Sequence, residues 1–355
     1  MTPAPPVDPA APTLGRLMTA EIDEQPAVLA RLLDEGLAPI RQVAEQIRRA
    51  EPRFVMLAAR GTSDHAALYA KYLIEIALGL PVALASPSTV TVYDAQPHLE
   101  DVLWIAVSQS GGSPDLIGST DAARRAGAHT LALTNAPDSA LAATAQWHVD
   151  VRAGVEKAVA ATKSYTAELL ALWLLVDAWR GGDATVAKDL PEQAGRTLEL
   201  ADVAAVAARY RFVDKIVTTG RGYAYPTARE AALKLMETSY VSAHAFSGAD
   251  LMHGPLAMID VDRPVIAVVS AGPGGEALRP VLERLHERDA DVCIVGDPGF
   301  ALGEDTVIRL PDGVDESIAP ILQIMPLQRL ACAIAVARHH DPDEPRGLLK
   351  VTRTR

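Results

Sequence analysis

The apolar positions of this 355-residue chain follow two alternating rhythms. Over residues 17–47 they recur at helical spacing, with Glu and Arg on the other faces. Phe54-Val-Met-Leu-Ala-Ala59 is then a short unbroken apolar run ending in Arg60-Gly61-Thr62-Ser63, which predicts helix, strand and turn. Residues 64–78 are helical again, Pro81-Val-Ala-Leu-Ala85 predicts a second strand, and Val102-Leu-Trp-Ile-Ala-Val107 a third, ending in Ser108-Gln109-Ser110-Gly111-Gly112-Ser113. The alternation continues through Thr130-Leu-Ala-Leu133 and a helix over 166–179. Strands without polar alternation, separated by helices, predict an α/β fold of doubly wound, flavodoxin-like parallel sheets covered on both faces.

The pattern repeats. Ala59-Arg60-Gly61 returns 161 residues later as Gly220-Arg221-Gly222, and Ile105-Ala106-Val107-Ser108 returns 162 residues later as Ala267-Val268-Val269-Ser270. In each case an apolar run precedes the matched residues and a helical segment follows. The chain therefore divides into a disordered N-terminus (1–14), a first domain (15–195), a second domain (196–338) and a C-terminal tail (339–355).

The copies differ at their turns. The first carries Thr62, Ser63, Ser108, Gln109, Ser110 and Ser113 at strand ends, where helix N-terminal N–H groups and short hydroxyls can hold a phosphate without a lysine. The matching turns of the second copy, Tyr223-Ala224-Tyr225 and Ala271-Gly272-Pro273, lack these donors, so one phosphate site is expected. The competing explanation is that the hydroxyls merely cap helices.

Composition narrows the function. Apolar residues make up 49% and charged residues 22%, enough for two cores. The net charge of −12 provides no long-range field for nucleic acid or anionic membrane, so neither is an expected partner. Cys293 and Cys332 are too few for a disulfide framework or a zinc site, no metal or organic cofactor is implied, and a cytoplasmic location is expected. No apolar run approaches the roughly 18 to 20 residues that cross a bilayer.

Ser108-Gln-Ser-Gly-Gly-Ser113 and Ala59-Arg-Gly-Thr-Ser63 resemble the sugar-isomerase (SIS) domain family. Glu21-x-x-Glu-Gln-Pro26, Val159-Ala-Ala-Thr-Lys163, Glu230-Ala-Ala-Leu-Lys-Leu-Met-Glu237, His253-Gly-Pro-Leu256 and Pro345-Arg-Gly-Leu-Leu-Lys350 follow in the order of the isomerase half of glucosamine-6-phosphate synthase. No cysteine precedes 293, so the glutaminase nucleophile of that synthase is not expected here. The chain is similar to stand-alone glucosamine-6-phosphate deaminases.

Over 227–239 a predicted helix aligns Glu230, Lys234 and Glu237 on one face, by itself an ordinary exposed ion-pair stripe. The resemblance implies instead that Glu237 is the base moving a proton between C1 and C2, with Glu230 and Lys234 beside it. It further implies that His253 opens the sugar ring from the partner subunit of a homodimer with shared sites, that Lys350 reaches the substrate carbonyl or its imine, and that Thr62 and Val159 hold the sugar. Two departures stand out: Ala161 where the synthase has serine, and His244 where a glutamate is usual. Next to Glu237, His244 is a candidate acid for a leaving hydroxyl. The expected activity is isomerising deamination of glucosamine 6-phosphate or a related aminosugar 6-phosphate. The alternatives are a dehydratase or lyase acting on N-acetylglucosamine 6-phosphate and a sugar-phosphate sensor without turnover.

Overall fold

A computed structural model describes residues 14–350; the N-terminal expectation for 1–13 and the last five tail residues lie outside the described residues. Among the described residues ten strands form two sheets. The first contains β1 (Phe54–Ala58), β2 (Val82–Leu84), β3 (Val102–Ser108), β4 (His129–Thr134) and β5 (Trp147–Asp150) in the order β2-β1-β3-β4-β5. The second contains β6 (Lys215–Gly220), β7 (Ser242–Ser247), β8 (Val265–Val269), β9 (Val292–Gly296) and β10 (Thr306–Arg309) in the order β10-β9-β8-β6-β7. Read from β7, the second order repeats the first, and every recorded pairing is parallel. The central strands β3 and β8 are buried at every position, because helices cover both faces of a parallel sheet.

Two expectations from the sequence are corrected. The helical stretch over 17–47 is three helices, Arg16–Asp23, Gln25–Arg31 and Leu37–Ala50, with a π-helical segment Leu32–Gly36 before the third. Pro26 sits in the first turn of the second helix, where its missing N–H costs nothing, whereas inside one continuous helix it would remove a hydrogen bond. The second correction concerns Ala319–Ala337, a helix of 19 residues that is long and apolar enough to cross a membrane, although no such run was expected. It is buried inside the protein along most of its length and packs against the helix Ala224–Ser239.

The helix Ala224–Ser239 also contacts Thr62–Leu78, so it lies where the two halves meet. One apolar cluster runs through both halves. Tyr69 Oη donates to Ser317 O at 2.5 Å and Trp173 Nε1 to Ser317 Oγ at 3.0 Å, tying first-half helices to the loop before Ala319–Ala337. The tail is anchored as well. Asp343 accepts from the N–H groups of Leu17 (2.8 Å) and Met18 (2.7 Å), first-turn donors of Arg16–Asp23 that no helical carbonyl can satisfy.

Candidate active site

The strand order of the first sheet reverses between β1 and β3, and at such a switch point a crevice opens beyond the strand ends. Here it is a cleft of about 380 Å³. Thr62, Ser63, Ser108, Gln109, Ser110, Ser113, Val159, Glu237 and Lys350 all line it, brought from five separate stretches of chain.

The hydroxyls of these turns do not act as helix caps. The helix Thr62–Leu78 is preceded by Gly61, and Pro114–Arg125 by Ser113; neither N-terminus has a side-chain cap. In the first turns Asp64 N–H is taken by Gly61 O (3.0 Å) and Leu116 N–H by Asp115 Oδ1 (2.9 Å), and Pro114 has no N–H, which leaves Thr62, Ser63 and Asp115 with first-turn N–H groups that no helical carbonyl satisfies. Gly61 has φ +56°, a conformation other residues rarely adopt. At Gly111 (φ +59°) a Cβ would meet Ser139 Oγ at 2.1 Å. The hydroxyl oxygens of Ser108 and Ser110 accept from the N–H groups of Gly111 (3.2 Å) and Gly112 (3.3 Å), which orders the turn and leaves both hydroxyl protons available. Arg60 bridges the turns through Asp115, at 2.8 Å.

Opposite the cradle stands the stripe from Ala224–Ser239. Far from being an exposed pair, Glu230 and Lys234 are both 0% exposed. Lys234 Nζ lies 3.3 Å from Glu230 Oε1 and 2.5 Å from Glu237 Oε2, and donates to Thr62 Oγ1 at 3.1 Å. Thr62 donates to Glu230 Oε1 at 3.0 Å, and His65 Nδ1 lies 2.7 Å from Glu230 Oε2. Burial alone would raise the Glu230 carboxyl, but the Lys234 ammonium, followed by His65 and Thr62, holds it below the usual carboxylate range. Burial pulls the Lys234 ammonium down, and Glu230 and Glu237 outweigh it, so that Lys234 sits well above the ordinary lysine value. Of the three stripe residues only Glu237 reaches the cleft, with its side chain 23% exposed.

Lys350 enters from the tail. Its Nζ donates to Glu156 Oε2 and to Ala158 O, each at 2.7 Å. Glu156 also accepts from the N–H groups of Thr162 (2.9 Å) and Ser164 (3.0 Å) and from Ser164 Oγ (2.7 Å). Burial would raise its carboxyl, but Lys350 and these donors bring it below the ordinary value. The Glu21 motif supports this wall from behind: Glu21 accepts from the N–H groups of Lys157 and Ala158, and Glu24 pairs with Lys163 at 2.5 Å.

Sequence reasoning missed Glu156, Glu168 and His65. Glu168 could have been flagged as an acidic residue inside an otherwise apolar helix, and His65 as the neighbour of the Arg60 turn, but neither spacing predicts its partner. Two predicted residues are not brought in. His244 lies on β7, where period-two alternation turns it to solvent while Ala243 is buried; its contacts are Ser242 Oγ at 3.4 Å and the Phe246 ring, and it does not line the cleft. The placement of His244 beside Glu237 as an acid is thereby corrected. His253 ends the short helix Gly248–Met252 on an exposed turn and likewise does not line the cleft of its own chain. Ala161 does line the cleft, with no hydroxyl to offer. A second cleft, of about 290 Å³ at the ends of β8 and β9, presents the carboxylates of Asp297 and Asp312 instead of a hydroxyl cradle.

Fold and site together define a duplicated α/β protein with a hydroxyl-lined cleft, walled by a buried carboxylate–lysine network. The SIS domain model matches residues 49–178 and 210–338, and the chain belongs to the SIS domain family. Glutamine–fructose-6-phosphate aminotransferase (isomerizing) of Methanothermobacter thermautotrophicus is 37% identical over 343 residues, covering 94% of this chain and 56% of that protein. The chain thus spans little more than half the length of the curated relatives it matches. Among solved structures, the C-terminal domain of glucosamine-fructose-6-phosphate aminotransferase from Francisella tularensis is 27% identical with a TM-score of 0.85, covering 93% of this chain and 98% of that one. Glucosamine-6-phosphate deaminase from Thermotoga maritima, 20% identical over 95% of this chain and 99% of that one, shares the fold with a TM-score of 0.74.

Proposed function

We propose that this chain is an enzyme of isomerase type acting on an aminosugar 6-phosphate, and that its reaction is isomerising deamination. The observation that carries this reading is the placement of Glu237. It is the one carboxylate of the buried stripe that opens into the cleft, facing the hydroxyl and N–H cradle. With the 6-phosphate in the cradle of Ser63, Ser108, Gln109, Ser110 and Ser113, the sugar carbons extend toward Glu237.

The chemistry follows from a single base. In the open-chain sugar, Glu237 removes the C2 proton and returns it to C1, while O1 gains a proton and the nitrogen gives one up, leaving a hydroxyl at C1 and an imine at C2. Water adds to that imine and ammonia leaves, giving the ketose phosphate. One carboxylate can serve both carbons because they are adjacent. Lys234 fixes the position of Glu237, and Glu230 with His65 fixes Lys234. Lys350 is held as a hydrogen-bond donor by Glu156 and Ala158, so in this arrangement it contributes a positively charged wall rather than a free amine.

The test is to incubate the protein separately with glucosamine 6-phosphate and N-acetylglucosamine 6-phosphate, following ammonia and product mass. Ammonia with fructose 6-phosphate from the free amine is expected. Loss of one water from the N-acetyl sugar without ammonia would replace this reading by the dehydratase.

His253 enters through a homodimer. Exposed on its turn and absent from the cleft of its own chain, it is available to complete the cleft of a second copy. Mixing His253→Asn with Glu237→Gln protein, followed by dissociation and reassociation, is expected to restore turnover that neither variant shows alone. A mixture as inactive as its components would mean that His253 does not serve the cleft of a second copy, and a His253→Asn protein that is active alone would place His253 outside the reaction.

A further inference from the structure

Glu168 is the group in the cleft that the reaction above leaves without a task. It stands on the helix Lys163–Trp179 at 1% exposure, behind the cradle, and lines the cleft. Ser63 Oγ donates to its Oε1 at 2.9 Å, and its Oε2 is buried with no hydrogen-bond partner. A buried carboxyl with one oxygen unpaired is costly as an anion and tolerable as a neutral acid.

Its neighbours agree. Glu156 faces it from the segment before its helix, Glu230 from Ala224–Ser239, Lys350 from the tail, and Tyr165 from its own helix. Thr62–Leu78 contributes Ser63 to it, and the helix Leu37–Ala50, packed on the same helix, buries only apolar side chains. Lys350 is the single cation among these and is already bonded to Glu156. Burial first, then the two carboxylates, outweigh Ser63 and Lys350 and push the Glu168 carboxyl up to about 8.

A serine hydroxyl has one proton, and an ionised carboxylate can only accept. While Glu168 is ionised, that proton is directed at Glu168 and away from the cleft. We propose that Glu168 is a positioning residue acting through Ser63: when protonated it donates to Ser63 Oγ and frees the Ser63 hydroxyl to donate to the phosphate, so that its protonation gates phosphosugar binding. This inference rests on the phosphosugar reading above.

The experiment is calorimetric titration of the full chain with fructose 6-phosphate from pH 7 to 9.5, where the ligand stays a dianion because its second ionisation lies near pH 6. The native protein is expected to bind at least about tenfold more weakly at the top of this range, the loss of one hydrogen bond to a charged group. Glu168→Gln carries an amide N–H that can donate to Ser63 at every pH, so its affinity is expected to stay level and near the native value at pH 7. Ser63→Ala is expected to bind weakly throughout, with the pH dependence largely removed. A native profile that is level, or a Glu168→Gln profile that follows the native one, would overturn the gating role while leaving the phosphosugar reading intact. Absence of binding to both fructose 6-phosphate and glucosamine 6-phosphate by the native protein at pH 7 would instead remove that reading, and this inference with it.

Discussion

Glu237→Gln is expected to lower kcat on glucosamine 6-phosphate by about 10²–10⁴-fold, the range that a positioned general base contributes. Binding of fructose 6-phosphate is expected to change by no more than a few-fold. The separation follows from geometry. On the proposed reading the phosphate sits against the turns after β1 and β3, whereas Glu237 belongs to a helix of the second half and lines the same cleft. Glutamine keeps an oxygen to accept from Lys234, so the buried network is preserved while the proton acceptor is lost. Steady-state kinetics combined with calorimetry checks both halves of the expectation. An unchanged kcat would remove Glu237 from the proton transfer and require another base in the cleft.

The second large effect is on stability. Lys234 is fully buried between two carboxylates, and Lys234→Met fills similar space while leaving Glu230 without its cation. Breaking a buried pair by removing one partner costs about 3–5 kcal/mol, because the remaining charge keeps its desolvation penalty. Denaturant unfolding at pH 7 is expected to show a loss of that size. The pH dependence gives a sharper signature. In the native protein the Glu230 carboxyl is held below its unfolded value, so its contribution is present above about pH 4.5 and is lost as pH falls through the folded value. The Lys234 contribution is fully present below the ordinary lysine range and is lost only in strong alkali, since its folded value is raised. In Lys234→Met, burial without a cation raises the Glu230 carboxyl, so that variant gains stability on acidification toward pH 4.5 while the native protein keeps its Glu230 contribution over the same range. The gap between the two is therefore expected to narrow from pH 7 toward 4.5. A gap that stays constant would mean that lost packing, not unpaired charge, accounts for the cost.

Much of this molecule is legible along the chain because its signals are local. β1, β3 and β8 appear as nearly unbroken apolar runs since both faces of a parallel sheet are covered, and the duplication shows in the spacing of the turns that follow the strands. The hydroxyl-rich turns after β1 and β3 are visible because each is a contiguous string, and the stripe Glu230, Lys234, Glu237 needs only helical periodicity to be seen on one face. What tertiary structure alone decided is which polar groups meet. Ser63 and Glu168 are 105 residues apart, His65 and Glu230 165, and Glu156 and Lys350 194. No periodicity links them. The same packing made the Glu230–Lys234 pair a buried network instead of a surface one, folded the tail against the cleft, and turned His244 and His253 to solvent. Hydrophobic patterning specifies which face of each element is covered; the environment of a charge depends on what covers it, and that is set only when distant helices pack together.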